Sequence, residues 1–232
     1  MKSICIIPAR SGSKRIHKKN IKNFFEKPII SYSIETALKS GIFDKVIVST
    51  DDEEIAKISK KYGADIPFIR SKKNSSDEAS TVSVIIEAFN KINYKKLDYI
   101  YACCLYPAAP FVSTDLLKKS FKKLQKGSFH SVFPIVEYGH PIQRSLILNE
   151  KKVQRYFNFS NKNTQDYRTT YHDAGQFYFF DIIKVLNTQK LISDNSSGII
   201  VDRFKFQDID SIEDWKLAEL KYQQFNLKNK LK

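Results

Sequence analysis

The chain has 232 residues, of which 42% are hydrophobic and 13% aromatic, and this composition is typical of a folded globular protein rather than a disordered one. The length suits one large α/β domain with a buried core, so we expect a single domain over residues 1–232. The formal net charge is +14, but the lysines are spread along nearly every predicted helix face, which indicates a compositional bias more than a nucleic-acid partner.

The sequence also argues against a membrane or secreted protein. No apolar run reaches the ~18–20 residues of a membrane span, and the first ten residues lack the apolar region of a secretory signal. Cys5, Cys103 and Cys104 lie in apolar, strand-like runs, a pattern that favours reduced buried thiols and lacks metal-ligand spacing. We therefore expect a cytoplasmic protein with no membrane partner.

The first part of the chain alternates between predicted strands and helices. Residues 3–8 and 45–50 are short apolar runs, which predict buried strands. Residues 28–40 have apolar side chains at helical spacing before Gly41, and four acidic residues at 51–54 open a second helix that ends at Gly63. This alternation predicts a doubly wound, mostly parallel sheet.

The same pattern continues, with one interruption, to the end of the chain. Further strands are predicted at 66–69, 99–105, 131–136, 175–180 and 198–201, and further helices at 82–92, 114–125 and 212–222. The interruption is residues 138–170, where the periodicity breaks down. Because this much irregular chain in a compact domain usually covers a site or reaches a partner subunit, we expect one of these roles for it.

The loop after the first predicted strand is the clearest candidate for a binding site. Between residues 2 and 22 the chain carries seven Lys or Arg and no Asp or Glu. Small residues and fixed positive charge at the end of a strand are suited to phosphates, with Arg10 and Lys14 as donors and Asn20 near a base or ribose. The loop is neither a Walker A motif nor a GxGxxG motif, which disfavours a common ATPase or NAD enzyme. A solvated basic turn is the alternative.

Two acidic motifs are candidates for chemistry. Asp208 and Asp210 flank Ile209, and carboxylates two residues apart in an extended chain lie on one side, where both could bind one Mg²⁺ ion. The alternative is a helix cap formed by Asp210 or Ser211. The His172–Asp173 pair is more simply structural, and the absence of a Gly-x-Ser-x-Gly elbow argues against a hydrolase.

These motifs together resemble a known family. IPARSGSKRIHKKN, STDDEEIAKISKKYGA, the loop from Arg70 to Asp77-x-Ala79 and DIDSIEDW occur in the order and separation found in cytidylyltransferases that activate nonulosonic acids, the sialic-acid-like sugars. Tyr106-Pro107-x-x-Pro110 and YHDAGQFY resemble the pseudaminic acid branch. A sialic acid enzyme more typically has Gln at the position of Tyr106 and Arg-Pro-Asn-Gly at the position of His172–Gly175.

The resemblance implies a function and a set of site residues. It implies a Rossmann-like nucleotidyltransferase fold with a small dimerisation extension, a homodimer in which 138–170 makes the contact, and Mg²⁺-dependent transfer of CMP from CTP to the anomeric hydroxyl of an acidic nine-carbon sugar. Arg10, Lys14, Lys19, Asp208 and Asp210 would be catalytic, and both aspartates would bind the metal. The implied CTP contacts are Arg10, Ser13, Lys14, Asn20, Arg70 and Ala79. The implied sugar contacts are Tyr106, Gln143, Arg144, His172 and Gln176.

Alternatives remain open at this stage. A CMP-legionaminic or CMP-sialic acid synthetase would share the architecture and differ in the sugar. A basic nucleic-acid-binding protein would show affinity that falls steeply with salt and no binding of CTP. Aromatic residues interleaved with the basic loop would favour it, but only Phe24 and Phe25 lie near, after the loop.

Overall fold

The computed structural model describes residues 2–157 and 163–230. In chain order the strands are β1 (Lys2–Pro8), β2 (Asn23–Phe24), β3 (Lys27–Pro28), β4 (Lys45–Ser49), β5 (Tyr99–Leu105), β6 (Ser131–Glu137), β7 (Leu146–Asn149), β8 (Lys152–Arg155), β9 (Tyr171–Asp173), β10 (Phe177–Asp181) and β11 (Ser196–Ile200). The helices are α1 (Ile29–Ser40), α2 (Glu53–Lys61), α3 (Thr81–Ile92), α4 (Thr114–Lys126), α5 (Ile182–Thr188) and α6 (Ile212–Lys230).

The main sheet has seven strands and is mostly parallel. Its order is β11-β6-β10-β5-β1-β4, with β9 also paired to β6. Strand β1 runs parallel to β4 and β5, and β11 runs parallel to β6. Strand β10 is antiparallel to both neighbours, and β9 is antiparallel to β6. The predicted doubly wound, mixed sheet is therefore confirmed.

Helices cover both faces of this sheet. Buried side chains of α1, α2 and α4, such as Ile34, Ile55 and Leu117, form one apolar cluster with one face of the sheet. Buried side chains of α3 and α5, such as Phe89 and Val185, form a second cluster on the opposite face. Within the described residues, no helix is both long enough and apolar enough to cross a membrane.

Local capping explains where several helices begin. The side chains of Asp52, Ser80 and Ser113 accept hydrogen bonds from backbone N–H groups in the first turns of α2, α3 and α4, at 2.8, 3.1 and 3.2 Å. Helix α1 ends at Gly41, whose φ of 66° lies in the left-handed region that glycine adopts without strain. The predicted starts of these helices agree with the structure because the signals are local.

The predicted strand at 66–69 is wrong. This segment makes only isolated bridges beside β4, at Ile47 with Asp65 and at Thr50 with Ile69. Pro67 lies between these bridges, and a proline has no N–H to donate to a strand ladder. The strands β2, β3, β7, β8 and β9 and the helix α5 were not predicted, and α6 extends beyond the predicted end at residue 222.

Residues 138–170 contain more structure than expected. They include the hairpin formed by β7 and β8, whose strands pair from Leu146 with Arg155 to Asn149 with Lys152. Residues 158–162 of this region lie outside the described residues. Its roles in dimerisation or in covering a substrate, and the division of the chain into one domain with an insertion, stay predictions.

Candidate active site

The main cavity has a volume of about 700 Å³ and lies at the carboxyl ends of the parallel strands β1 and β5. This edge is where doubly wound sheets bind ligands. Ten of the residues predicted from the sequence line it: Arg10, Ser13, Lys14, Lys19, Asn20, Arg70, Ala79, Tyr106, Asp208 and Asp210. The other four predicted residues, Gln143, Arg144, His172 and Gln176, are not among the described residues that line it.

Two cations of the loop after β1 converge on one carboxylate. Arg10 Nη1 lies 2.7 Å from Asp77 Oδ1, and Lys14 Nζ lies 2.5 Å from Asp77 Oδ2. Hydrogen bonds from Lys14 and Arg10 hold the pKa of Asp77 below its usual value. Arg10 and Lys14 are therefore both paired with an anionic side chain. Asp77 was not predicted as a site residue.

A second group of cations faces Asp210. Lys19 Nζ donates to the Ile209 carbonyl oxygen at 2.7 Å and lies 3.4 Å from Asp210 Oδ1. Arg15 Nη2 lies 3.0 Å from Asp210 Oδ2. Arg15 was not predicted either, because nothing local to the loop distinguishes it from the neighbouring basic residues. These contacts connect the basic loop after β1 with the Asp208–Asp210 segment, which lies 190 positions later in the chain.

An apolar cluster explains how these distant segments meet. Ile209 is 2% exposed and packs with Ile16, Phe24 and Trp215. The side chain between the two aspartates is thus packed into this cluster, and Asp208, Ile209 and Asp210 all line the cavity. The burial of Ile209 therefore orients both carboxylates.

At the start of α6, the residues that cap the helix are different from the candidate metal ligands. Ser211 Oγ accepts a hydrogen bond from the Asp214 backbone N–H at 3.2 Å. The Asp214 carboxylate accepts from the backbone N–H groups of Ser211 at 2.8 Å and Asp210 at 3.2 Å. Ser211 and Asp214 thus cap this helix reciprocally. The Asp210 side chain is left to face the cavity.

The two aspartates fit a divalent cation as part of a larger set of ligands. Partial burial and the negative charge of Asp210 raise the pKa of Asp208 above its usual value, which is the effect expected for carboxylates that share a site. Among the described residues no group of three or more His, Cys, Asp and Glu side chains could hold a metal by itself. Mg²⁺ usually takes only one or two carboxylates and completes its ligands with water and phosphate, so two carboxylates suffice.

The cavity is also lined by Asn20 and Arg70, which are both buried. Asn20 Nδ2 donates to the Arg10 carbonyl oxygen at 2.9 Å, and Asn20 Oδ1 has no partner among the described residues. Arg70 Nε donates to Ser49 Oγ at 3.0 Å, and Arg70 Nη2 donates to the Ser49 carbonyl oxygen. Burial lowers the pKa of Arg70, and the charges of Asp51 and Glu87 oppose this shift. Both side chains are thus held in place by hydrogen bonds to the backbone or to Ser49.

The predicted sugar contacts divide between several places. Tyr106 lines the cavity, and burial raises the pKa of its hydroxyl to about 12. Gln176 is 2% exposed, and neither atom of its side-chain amide has a partner among the described residues. His172 Nδ1 lies 2.9 Å from the Asp173 carbonyl oxygen, and its ring packs against Tyr138.

Gln143 and Arg144 belong to the region after β6. Arg144 lines a second cavity, of about 580 Å³, which is formed by residues 138–142, 144–145 and 164. Arg144 Nη1 donates to Thr164 Oγ1 there. The Oε1 atom of Gln143 is buried and has no partner in the described part of the chain. Within this chain, these two residues therefore lie apart from the main cavity.

Comparison with known proteins places this chain in a family. The family model described as cytidylyltransferase matches residues 4–218. The pseudaminic acid cytidylyltransferase of Campylobacter jejuni subsp. jejuni serotype O:2 is 42% identical over 96% of this chain and 97% of its own length. The N-acylneuraminate cytidylyltransferase of Escherichia coli O18:K1:H7 is 32% identical over 94% of this chain and 51% of its own length.

The fold agrees with these relatives. The structure of CMP:2-keto-3-deoxy-manno-octonic acid synthetase complexed with CTP superposes with a TM-score of 0.71. The superposition covers 97% of this chain and 99% of that one, and the two are 15% identical, so the likeness is one of fold. Family match, identity and fold lead to one conclusion. The chain belongs to the cytidylyltransferase family, and the resemblance of its motifs to the nonulosonic acid cytidylyltransferases is confirmed.

Proposed function

We propose that this protein is a CTP-dependent enzyme that transfers CMP to the anomeric hydroxyl of an acidic nine-carbon sugar, best matched by pseudaminic acid, and releases pyrophosphate. One observation carries the proposal. In a chain that is 42% identical to a pseudaminic acid cytidylyltransferase, a single cavity is lined by the cations of the first loop and by Asp208 and Asp210. Legionaminic acid and sialic acid are the alternative sugars.

The phosphates of CTP would lie along the loop after β1. Arg10, Ser13 and Lys14 would bind the triphosphate, and Lys19 would lie near the reacting phosphate. The proposal is supported by the ion pairs of Arg10 and Lys14 with Asp77, because these cations already converge on an anion. Lys19 lies beside Asp210, on the side of the cavity where the carboxylates lie.

The cytidine would lie against Asn20, Arg70 and Ala79. The free Oδ1 of Asn20 supports this placement, because a buried carbonyl oxygen without a partner is costly and a base can supply an N–H donor. Arg70 is a rigid donor here, since Ser49 holds its guanidinium through two hydrogen bonds. We expect CTP to be preferred over UTP, GTP and ATP.

Asp208 and Asp210 would hold Mg²⁺. A bound Mg²⁺ ion would neutralise part of the phosphate charge that otherwise repels an attacking oxygen. Arg10, Lys14 and Lys19 would hold the phosphates and stabilise the charge that develops on them. The protein's main task in such a transfer is to align the sugar hydroxyl with the α-phosphate and the departing pyrophosphate, since little covalent chemistry is needed.

The sugar would bind beyond Tyr106. The buried and unpartnered amide of Gln176 supports this, because it follows Gly175, which lines the cavity, and it has hydrogen bonds left to offer. Gln143, Arg144 and His172 complete the proposed set. Since Gln143 and Arg144 lie apart from the main cavity in this chain, they would act on a sugar bound by a second subunit or after movement of 138–170.

A homodimer would use the hairpin of β7 and β8. Leu146, Leu148 and Val153 are all more than 60% exposed on this hairpin. Apolar side chains grouped on a projecting hairpin are typical of a surface that another chain covers. We propose that a second copy of this chain covers it, as the resemblance implied for residues 138–170.

Pyrophosphate release tests the function. The enzyme is incubated with CTP, Mg²⁺ and a panel of pseudaminic, legionaminic and sialic acids, and release is expected to be fastest with pseudaminic acid. Faster release with another acid would select that sugar instead, and no release with any member would refute the proposal. Competition of CTP binding by UTP, GTP and ATP tests the choice of base.

Asp210→Ala tests the role of the carboxylates. It should remove most of the turnover, on the order of a hundredfold. It should change the free energy of unfolding by no more than ~1 kcal/mol, because Ser211 and Asp214 form the cap. Glu213→Ala, an exposed carboxylate in the same helix turn, is the matched control and should keep full activity. Full activity in Asp210→Ala would contradict the proposed metal site.

A further inference from the structure

The two aspartates that follow β4, Asp51 and Asp52, make different contacts. Asp52 caps α2, since its side chain accepts a hydrogen bond from the Ile55 backbone N–H at 2.8 Å. Asp51 instead reaches across to the loop after β1. Its Oδ1 accepts from the Ser11 backbone N–H at 3.0 Å, and its Oδ2 accepts from Ser11 Oγ at 2.9 Å. Both oxygens of the Asp51 carboxylate therefore bind a single residue of the basic loop.

The backbone on either side of Arg10 is held by the end of β4. Before Arg10, the Ala9 backbone N–H donates to the Ser49 carbonyl oxygen at 2.9 Å. After Arg10, Ser11 makes the two hydrogen bonds to the carboxylate. The Ser11 carbonyl oxygen in turn accepts from the Ser13 backbone N–H at 2.8 Å. The loop is thus anchored immediately before and immediately after the first of its phosphate-binding candidates.

Asp51 and Ser11 stand behind the site rather than in it. Arg10 and Ser13 line the cavity, whereas neither Ser11 nor Asp51 is among the described residues that do so. By its charge alone, a carboxylate close to a phosphate site would weaken the binding of a polyanion, because like charges repel. Any effect of Asp51 that favours the nucleotide must therefore come through the loop that it holds.

We propose that Asp51 is a positioning residue for the CTP site, which acts through Ser11 to hold the phosphate-binding backbone in place before the triphosphate arrives. This inference rests on the proposed function. A loop that is already fixed in its binding conformation loses less conformational entropy when the ligand binds. The two carboxylates near the loop then have opposite effects, because Asp51 holds its backbone and Asp77 pairs with its cations.

Calorimetric titration with CTP in the absence of sugar tests the inference. Asp51→Ala removes both acceptors, and we expect Kd for CTP to rise about tenfold although a negative charge near the site is lost. Asp51→Asn loses the same charge but keeps an oxygen for the Ser11 N–H, so its Kd should lie within about threefold of the wild-type value. The difference between these two variants isolates the hydrogen bonds from the charge.

Ser11→Ala tests the same contact from the other side. It keeps the backbone hydrogen bond to Asp51 and loses the one from Oγ, so we expect Kd for CTP to rise about threefold. The double variant of Ser11→Ala and Asp51→Ala should be no worse than Asp51→Ala alone, because the Ser11 hydroxyl acts here through Asp51.

Asp52→Ala is the matched control, because it removes the same charge from the neighbouring position. It should lower the free energy of unfolding by ~1 kcal/mol through loss of the α2 cap and leave Kd for CTP within about twofold. In turnover assays at saturating CTP, KM for the sugar should change by less than about twofold in both Asp51→Ala and Asp52→Ala, since the proposed role of Asp51 concerns the triphosphate.

Four results would each overturn the inference while wild-type binding of CTP stands. They are an unchanged or lower Kd in Asp51→Ala, an equal rise in Asp52→Ala, a Kd in Asp51→Asn as high as that in Asp51→Ala, and effects that multiply in the double variant. If the wild type binds no CTP, the proposed function is refuted, and this inference with it.

Discussion

If the proposed function is correct, Asp77 competes with CTP for Arg10 and Lys14, so replacing Asp77 should strengthen CTP binding rather than weaken it. The Asp77 carboxylate lies 2.7 Å from Arg10 Nη1 and 2.5 Å from Lys14 Nζ. A triphosphate that binds these two cations must displace it. Asp77→Asn removes the negative charge and keeps the size of the side chain, so this variant should bind CTP more tightly than the wild type.

The exposure of the three side chains sets the size of the effect. The side chains of Arg10, Lys14 and Asp77 are 36%, 81% and 46% exposed, so water screens both pairs strongly. We therefore expect Kd for CTP to fall about two- to tenfold, rather than by orders of magnitude. The gain should shrink as salt is added, because the Debye length falls from ~10 Å at 0.1 M to ~3 Å at 1 M ionic strength.

Calorimetric titration with CTP in the absence of sugar measures this Kd at low and high salt. Glu78→Gln is the matched control, because it removes the same charge one position along the chain. Among the described residues Glu78 forms no ion pair with Arg10 or Lys14. A Kd for Asp77→Asn that is equal to or higher than that of Glu78→Gln would refute the reasoning.

Three further predictions concern stability and assembly. Burial raises the pKa of Tyr106 from 10.0 to about 12, so the stability that its neutral hydroxyl contributes is fully present below pH 10 and is lost as the pH rises through 12. In urea unfolding between pH 8 and 12, the free energy of unfolding of Tyr106→Phe should therefore fall by up to ~2–3 kcal/mol less than that of the wild type. Phe24→Ala empties a fully buried position and should cost ~3–5 kcal/mol by the same measurement, whereas Phe204→Ala, at 74% exposure, should cost little. Leu148→Glu should convert the proposed dimer to monomer in light scattering, and Ile183→Glu on α5 should not; a dimeric Leu148→Glu would contradict the proposed interface.

The fold was predictable where the signals are local. The predicted openings of α2 and α4 and the apolar runs of β1 and β5 depend on a few neighbouring residues, and they agree with the structure. The prediction of a strand around Pro67 failed because the backbone pairs there only at two isolated bridges. Ile66 and Phe68 pack against the core clusters, but Ile69 is 54% exposed, so the apolar run did not report a buried strand.

The candidate site was predictable as two halves but not as a set of contacts. The basic loop and the Asp208–Asp210 pair could be identified because each concentrates one charge in a short stretch. The pairing of Asp77 with Arg10, or of Arg15 with Asp210, depends on loops that tertiary packing brings together. The helix cap at Ser211 and Asp214 is local, and sequence left open whether Asp210 took part in it.

The apolar cluster of Ile16, Phe24, Ile209 and Trp215 has a consequence for how the enzyme is made. Contacts between residues 190 positions apart close a very long loop, and closing it costs conformational entropy. The packing of the apolar cluster offsets this cost. A ribosome delivers the basic loop first and the aspartates long afterwards. A copy of the protein truncated before Asp208 would carry the cations of the first loop without either of the two carboxylates, and Lys19 and Arg15 would lose the partners that they contact here.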